Sequence, residues 1–153
     1  MIKGSQKQWS YREVLDAAGI EHDGPVAVMD ARCGLCAKGA RWIARNDRRN
    51  QFRIVPLQSD LGRALMAHFG LNAEDPASWL LLHDGHSYTS LAGFAEAGRI
   101  LGGIWVSLSV LKVLPLAIQN GLYRLVARNR IRLFGRADLC NLPDAEVKKR
   151  LIQ

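Results

Sequence analysis

The chain has 153 residues, 48% of them hydrophobic and 23% charged. That is enough apolar matter for one buried core and too much for a disordered polypeptide. Three cysteines in this length exclude a disulfide-stapled scaffold. The opening MIKGSQKQWS holds neither an apolar run nor a small-residue cleavage site, so a cytoplasmic location is expected. The net charge of +7 is clustered. Six basic residues lie between Lys38 and Arg53, opposed only by Asp47, and Arg124, Arg128, Arg130, Arg132 and Arg136 have no acid among them. Such clusters form solvated faces or attract nucleic acid, anionic lipid or acidic proteins. No zinc-finger spacing and no basic run interleaved with stacking aromatics occurs, so no nucleic-acid partner is expected.

In chain order, Ser10-Tyr11-Arg12-Glu13 has capping-box spacing and predicts a short helix through Ala18, stopped by Gly19. His22 to Pro25 reads as a turn. Pro25 to Met29 is a short apolar run bounded by turn signals, which favours a buried strand over a helix. From Gly34 to about Arg48 the pattern is helical, with Leu35, Gly39, Trp42 and Ile43 near one face and the basic residues largely elsewhere. Phe52 to Val55 is a second strand ended by Pro56, and Ser59 caps a helix from Asp60 to Phe69. Strand, helix, strand implies two parallel strands joined by a right-handed crossover.

Ser78 to Leu82 and Ser87 to Thr89 flank His83-Asp84-Gly85-His86, a hairpin signal that completes a small mixed sheet. A helix from Leu91 to Leu101 is broken by Gly102-Gly103. Helix resumes to about Arg130, interrupted at Pro115, and the tail from Leu142 offers Pro143 as a first helical residue. Ile100 to Ile118 carries one charge, Lys112. Its paired glycines, proline and lysine argue against a membrane-spanning helix. Two amphipathic helices buried on the sheet are expected there. The alternative is docking on a membrane surface, with the Arg124 to Arg136 cluster meeting anionic lipid.

The chemistry concentrates at Cys33 and Cys36. Cys33 follows a strand and opens a helix, where free backbone N–H groups and the helix dipole stabilise a thiolate. With Arg32, Lys38 and Arg41 nearby, its pKa is expected to fall from about 8.5 into the range of roughly 3.5–7.5. Cys36, almost a turn further on, is expected to be less exposed and less activated. Cys33 would attack a partner's disulfide and Cys36 would resolve the mixed disulfide. Asp30 either caps the helix or serves Cys36 as a general base. Zinc is the competing use of the cysteines, completed by His83 and His86 or by Cys140, but such knuckles place C-x-x-C in a hairpin rather than at a helix start. Cys140 is a third redox thiol or a small buried apolar residue. His22 and His68 are structural, and Trp42, Trp79 and Trp105 read as core.

These residues resemble the DCC family of predicted thiol-disulfide oxidoreductases, which are small thioredoxin-like proteins. The likeness rests on Val26 to Met29, Asp30, Cys33-Gly34-Leu35-Cys36, the basic helix with Arg41, Trp42 and Arg45, and Phe52 to Gln58. It continues through Asp84-Gly85 with Tyr88, Ser90 and Ala92, then Tyr123, Ala127 to Arg130, Phe134-Gly135 and Cys140. Met29 and Ala31 depart from the family's usual Tyr and Gly. The resemblance implies an α/β thioredoxin-like fold over residues 25–143, with an N-terminal helical extension (1–24) and a C-terminal helical tail (144–153). It implies disulfide exchange with a protein or small-molecule thiol and no bound cofactor. Pro76, shortly before the Trp79 strand, is a candidate for the cis-proline that thioredoxin-like proteins set opposite their cysteines. The rival class is a non-catalytic module that binds a partner or membrane surface, its C-x-x-C structural or zinc-bound.

Overall fold

The structure is a computed structural model and describes residues 10–72, 79–139 and 141–152. Helix α1 (Tyr11–Ala17) precedes strand β1 (Val26–Met29), helix α2 (Gly34–Asn46), strand β2 (Arg53–Pro56) and helix α3 (Asp60–His68). Strands β3 (Leu80–His83) and β4 (His86–Tyr88) follow, then helix α4 (Ser90–Leu101) and a 3-10 segment (Gly103–Val113). Helices α5 (Leu116–Phe134) and α6 (Ala145–Arg150) complete the order. Pro76 and Cys140 lie outside the described residues, so the expectations attached to them do too.

The sheet order is β2-β1-β3-β4. β1 and β2 are parallel, as the strand-helix-strand pattern requires, and β3 runs antiparallel to both β1 and β4. Asp84 and Gly85 both take positive φ (50° and 78°), the primed turn that matches strand twist. This four-stranded mixed sheet flanked by helices is the expected thioredoxin-like α/β fold. Pro56 belongs to β2 instead of ending it, opposite Met29. An edge strand tolerates the missing N–H.

Alternation along β1 divides the core. Ala27 and Met29 face α2 and its Ala37, Ala40 and Ile43, whereas Val26 and Val28 face Leu15 of α1 and Leu65 and Met66 of α3. Both sheet faces are therefore covered. That occupancy overturns the expectation for most of Ile100 to Ile118; only Ile100 and Leu101, at the end of α4, pack against the core. The 3-10 segment buries none of its residues, and Val113 is 82% exposed and Leu116 68%. Gly102 and Gly103, both at positive φ, end α4, and the 3-10 segment folds back on that helix, where a Cβ at Gly98 would meet the Trp105 carbonyl oxygen. Trp105 instead lies edge-on to Trp42 at 5.3 Å and donates to Asn46, so these two tryptophans are only partly buried while Trp79 is core.

Two terminal expectations also change. Ser10 makes no capping bond, and its Oγ meets His68 Nε2 at 2.8 Å, tying α1 to α3. Asp144, not Pro143, starts α6 by accepting from the Glu146 and Val147 N–H groups. α6 ends in Arg150, 2% exposed, whose guanidinium bonds Asp47 Oδ2 at 3.0 Å and the Asp47 carbonyl at 2.8 Å. The same carboxylate accepts from the Gln51 and Phe52 N–H groups and so ends α2. Removing one partner of a buried pair strands the other charge, at about 3–5 kcal/mol. Arg150→Met is expected to lower unfolding free energy by that amount in urea titration; a loss under about 1 kcal/mol would refute the clamp.

Candidate active site

β1 ends at Met29, and Asp30-Ala31-Arg32 carries the chain to Cys33, the N-cap residue of α2. The extended backbone at Cys33 aims its side chain at the first turn of the helix, where Cys36 waits. Both cysteines are free thiols, and their side chains hydrogen-bond to one another, Cys36 donating. That bond draws the pKa of Cys33 down to about 6 against the opposing effect of burial, helped by the Cys36 and Leu35 N–H groups and by Arg130. Cys36 is pushed far above the usual thiol range, first because its proton is held by the Cys33 sulfur and then by burial.

The expected order of exposure is reversed. Cys33 is fully buried and Cys36 only half-buried. The cover comes from the chain after α5. Gly135, at φ 71°, ends that helix and sends the strand-like segment 135–139 back along 31–34. The Gly34 N–H donates to the Gly135 carbonyl (3.1 Å), Ala137 N–H to Arg32 (3.1 Å) and Leu139 N–H to Ala31 (2.8 Å). A Cβ at Gly34 would clash with the Phe134 carbonyl oxygen, so the first residue between the cysteines has to be glycine for the cover to close.

Asp30 neither caps α2 nor leaves its carboxylate free. Oδ2 pairs with the Arg130 guanidinium at 2.6 Å, and Oδ1 accepts from Arg32 N–H (2.9 Å) and Gln58 Nε2 (2.7 Å). Asp30 reaches Cys36 through its backbone N–H. The cation acting on the thiols is accordingly Arg130 of α5, not the expected Arg32, Lys38 or Arg41; Lys38 stands over the Phe134 ring instead. Gln58 completes the frame by also accepting from the Ala31 N–H at 3.0 Å. Reading residue types one cluster at a time missed both Arg130 and Gln58. The signal for Arg130 was its place with Gln119, Tyr123 and Ala127 on one inward stripe of α5.

The histidines are engaged elsewhere. His83 pairs with buried Glu96 at 3.0 Å and His86 with the Asp84 carbonyl. Burial alone would raise the Glu96 pKa, yet bonds from Arg99 and His83 hold it near 2. Among the described residues no three His, Cys, Asp or Glu side chains converge on a metal position.

Beside Cys36 opens a cavity of about 280 Å³, walled by Met29, Gly39, Trp79, Phe94, Tyr123 and Arg130 among others, and almost wholly apolar. Gly39 sits within α2, where glycine costs about 1 kcal/mol relative to alanine. A Cβ there would make only ordinary contact with Met29, 3.5 Å away, so close packing does not require the glycine; its missing side chain leaves the cavity room.

The family model for DCC1-like thiol-disulfide oxidoreductases matches residues 27–136, from β1 into the segment that covers Cys33. The uncharacterized protein YuxK of Bacillus subtilis (strain 168) is 28% identical over 127 residues, 83% of this chain and 93% of that protein. The chloroplastic DCC family protein At1g52590 of Arabidopsis thaliana is 30% identical over 123 residues, 80% of this chain and 72% of that protein. No solved structure matches the chain. With its paired thiols at the head of α2 inside the matched region, the chain belongs to the DCC1-like thiol-disulfide oxidoreductase family.

Proposed function

We propose that the protein exchanges disulfides with a thiol or disulfide substrate through Cys33 and Cys36, without a bound cofactor. The observation that carries this reading is the hydrogen-bonded pair at the start of α2, one sulfur acidic and the other holding its proton. In the reduced protein the Cys33 thiolate attacks one sulfur of a substrate disulfide. A Cys33–substrate bond forms, the substrate S–S bond breaks and one substrate thiolate leaves. Cys33 is then neutral, and the charge that held the Cys36 proton is gone. Cys36 gives that proton to the departing thiolate and attacks Cys33 Sγ, which closes the Cys33–Cys36 bond and expels the second substrate thiolate. Two electrons pass to the substrate, and every step reverses when the protein is the oxidant.

Asp30 acts in this scheme as a positioning residue. Its carboxylate fixes Arg130 near both sulfurs, and its N–H supports Cys36 once that sulfur is charged. A stabilised Cys33 thiolate favours the dithiol form, so the pair is biased towards accepting electrons. The apolar cavity beside Cys36 gives the non-reacting part of a substrate a surface to lie against. Access to Cys33 itself requires the segment 135–137 to lift from Arg32 and Gly34.

Cys33 alkylation by iodoacetamide is expected to titrate with a midpoint near pH 6. Arg130→Gln should move the midpoint up towards the ordinary thiol value and Arg130→Lys should restore part of the difference. A midpoint unmoved by Arg130→Gln would remove that cation from the mechanism. The thiolate's contribution to the reduced protein's stability is complete above the ordinary thiol pKa and is lost as pH falls through about 6.

For the exchange itself, Cys36→Ser keeps a donor to Cys33 but cannot resolve, and is expected to accumulate mixed disulfides that Cys33→Ser does not. If it accumulates none, and the wild-type pair never equilibrates with a glutathione buffer, the proposal fails. Gly34→Ala, by pushing off the Phe134 carbonyl, is expected to speed Cys33 alkylation at least tenfold at fixed pH; an unchanged rate would mean that segment 135–137 does not limit access.

A further inference from the structure

The exterior of the 3-10 segment and α5 is unlike the rest of the molecule. Every large hydrophobic side chain that stands well exposed among the described residues falls between Ile104 and Leu133. On α5, Ile118, Leu122, Leu125 and Leu133 recur at spacings of four, three and eight, which puts them in one outward stripe. Arg124, Arg128 and Arg132 follow each other at four-residue spacing and form a row beside that stripe, each exposed. Among the described residues none of the three has an ion-pair partner. Like charges at this spacing repel. From Ala97 to Ala137 the sequence has seven basic residues and no acid.

We propose that this face docks on an anionic lipid bilayer. The apolar stripe and the side chains around Val113 and Leu116 enter the boundary between headgroups and acyl chains, and the arginine row meets lipid phosphates, relieving its own repulsion. An apolar stripe flanked by cations is what a helix lying in the membrane plane requires. A bilayer answers both features at once, whereas a purely apolar protein groove would leave the arginines unpaired. The helices lie on the membrane and do not cross it. No single helix among the described residues is long and apolar enough to span, and the 3-10 segment and α5, which together have the length, meet at a 115° bend. Leu122 belongs both to the stripe and to the wall of the Cys36 cavity, so docking brings the cavity to the lipid surface.

The test is flotation of the full chain with vesicles of phosphatidylcholine alone or mixed with phosphatidylglycerol. Binding to the mixed vesicles is expected, with little to phosphatidylcholine alone. The combined variant Arg124→Gln, Arg128→Gln, Arg132→Gln is expected to weaken it roughly a hundredfold, since each surface cation contributes about fivefold. The pair Val113→Glu and Leu125→Glu, at sites 82% and 62% exposed, is expected to abolish it while the circular dichroism spectrum and the Cys33 alkylation profile stay as in wild type. Absence of flotation overturns the proposal. So does flotation indifferent to lipid charge and to the glutamine substitutions. A dimer in light scattering that Leu125→Glu dissociates, without vesicle binding, assigns the face to a second copy and overturns it as well.

Discussion

A buried ion pair between Asp30 and Arg130, one hundred residues apart, fastens α5 across the head of α2, and the thiol site exists in the shelter of that contact. Its counterpart at the other end of α2 is Asp47 with Arg150, 103 residues apart and still more completely buried. The helix that carries Cys33 and Cys36 is thus held at both ends by arginines from the C-terminal part of the chain. Charges so far from water persist only when paired and hydrogen-bonded. Each carboxylate accordingly also takes backbone or side-chain donors, from Arg32 and Gln58 at one end and from Gln51 and Phe52 at the other.

The pairing explains how two identical side chains acquire opposite characters. Position at a helix N-terminus favours a thiolate in general terms. The difference between the sulfurs comes from their mutual bond, in which one proton is shared and only one sulfur can be negative. Arg130 raises the acidity of both, and so stabilises whichever of them bears the charge. Arg130 therefore serves a charge on either sulfur without either site being rebuilt. Preorganisation of this kind needs a rigid cation, which the Asp30 carboxylate supplies by holding the guanidinium in place.

Cover and exposure have one origin. α5 directs an inward stripe of Gln119, Tyr123, Ala127 and Arg130 at the site, and its end turns at Gly135 to lie over Cys33. Among the described residues the outward side of the same helix has nothing left to pack against, because α2, α4 and α6 fill one sheet face and α1 and α3 the other. A chain that uses a long helix to roof a small site exposes the back of that roof, and here the back is apolar and cationic together.

Short-range chemistry makes much of this legible in the sequence alone. A four-residue apolar run between turns, a helix opening at C-x-x-C and an Asp-Gly hairpin depend on neighbours a few positions away, so β1, α2 and the β3-β4 turn follow from local rules. Local rules fail where a distant group competes: Ser10 meets His68 instead of capping α1, and Ile104 to Ile118 is apolar yet finds no open sheet face. Within the cluster Arg124 to Arg136, composition does not distinguish the buried guanidinium from the exposed ones. The sequence by itself determined the fold class, the family and the two sulfurs. Tertiary structure alone decided which sulfur ionises and which is reachable, because electric field and solvent access are set by groups brought together across a hundred residues of chain.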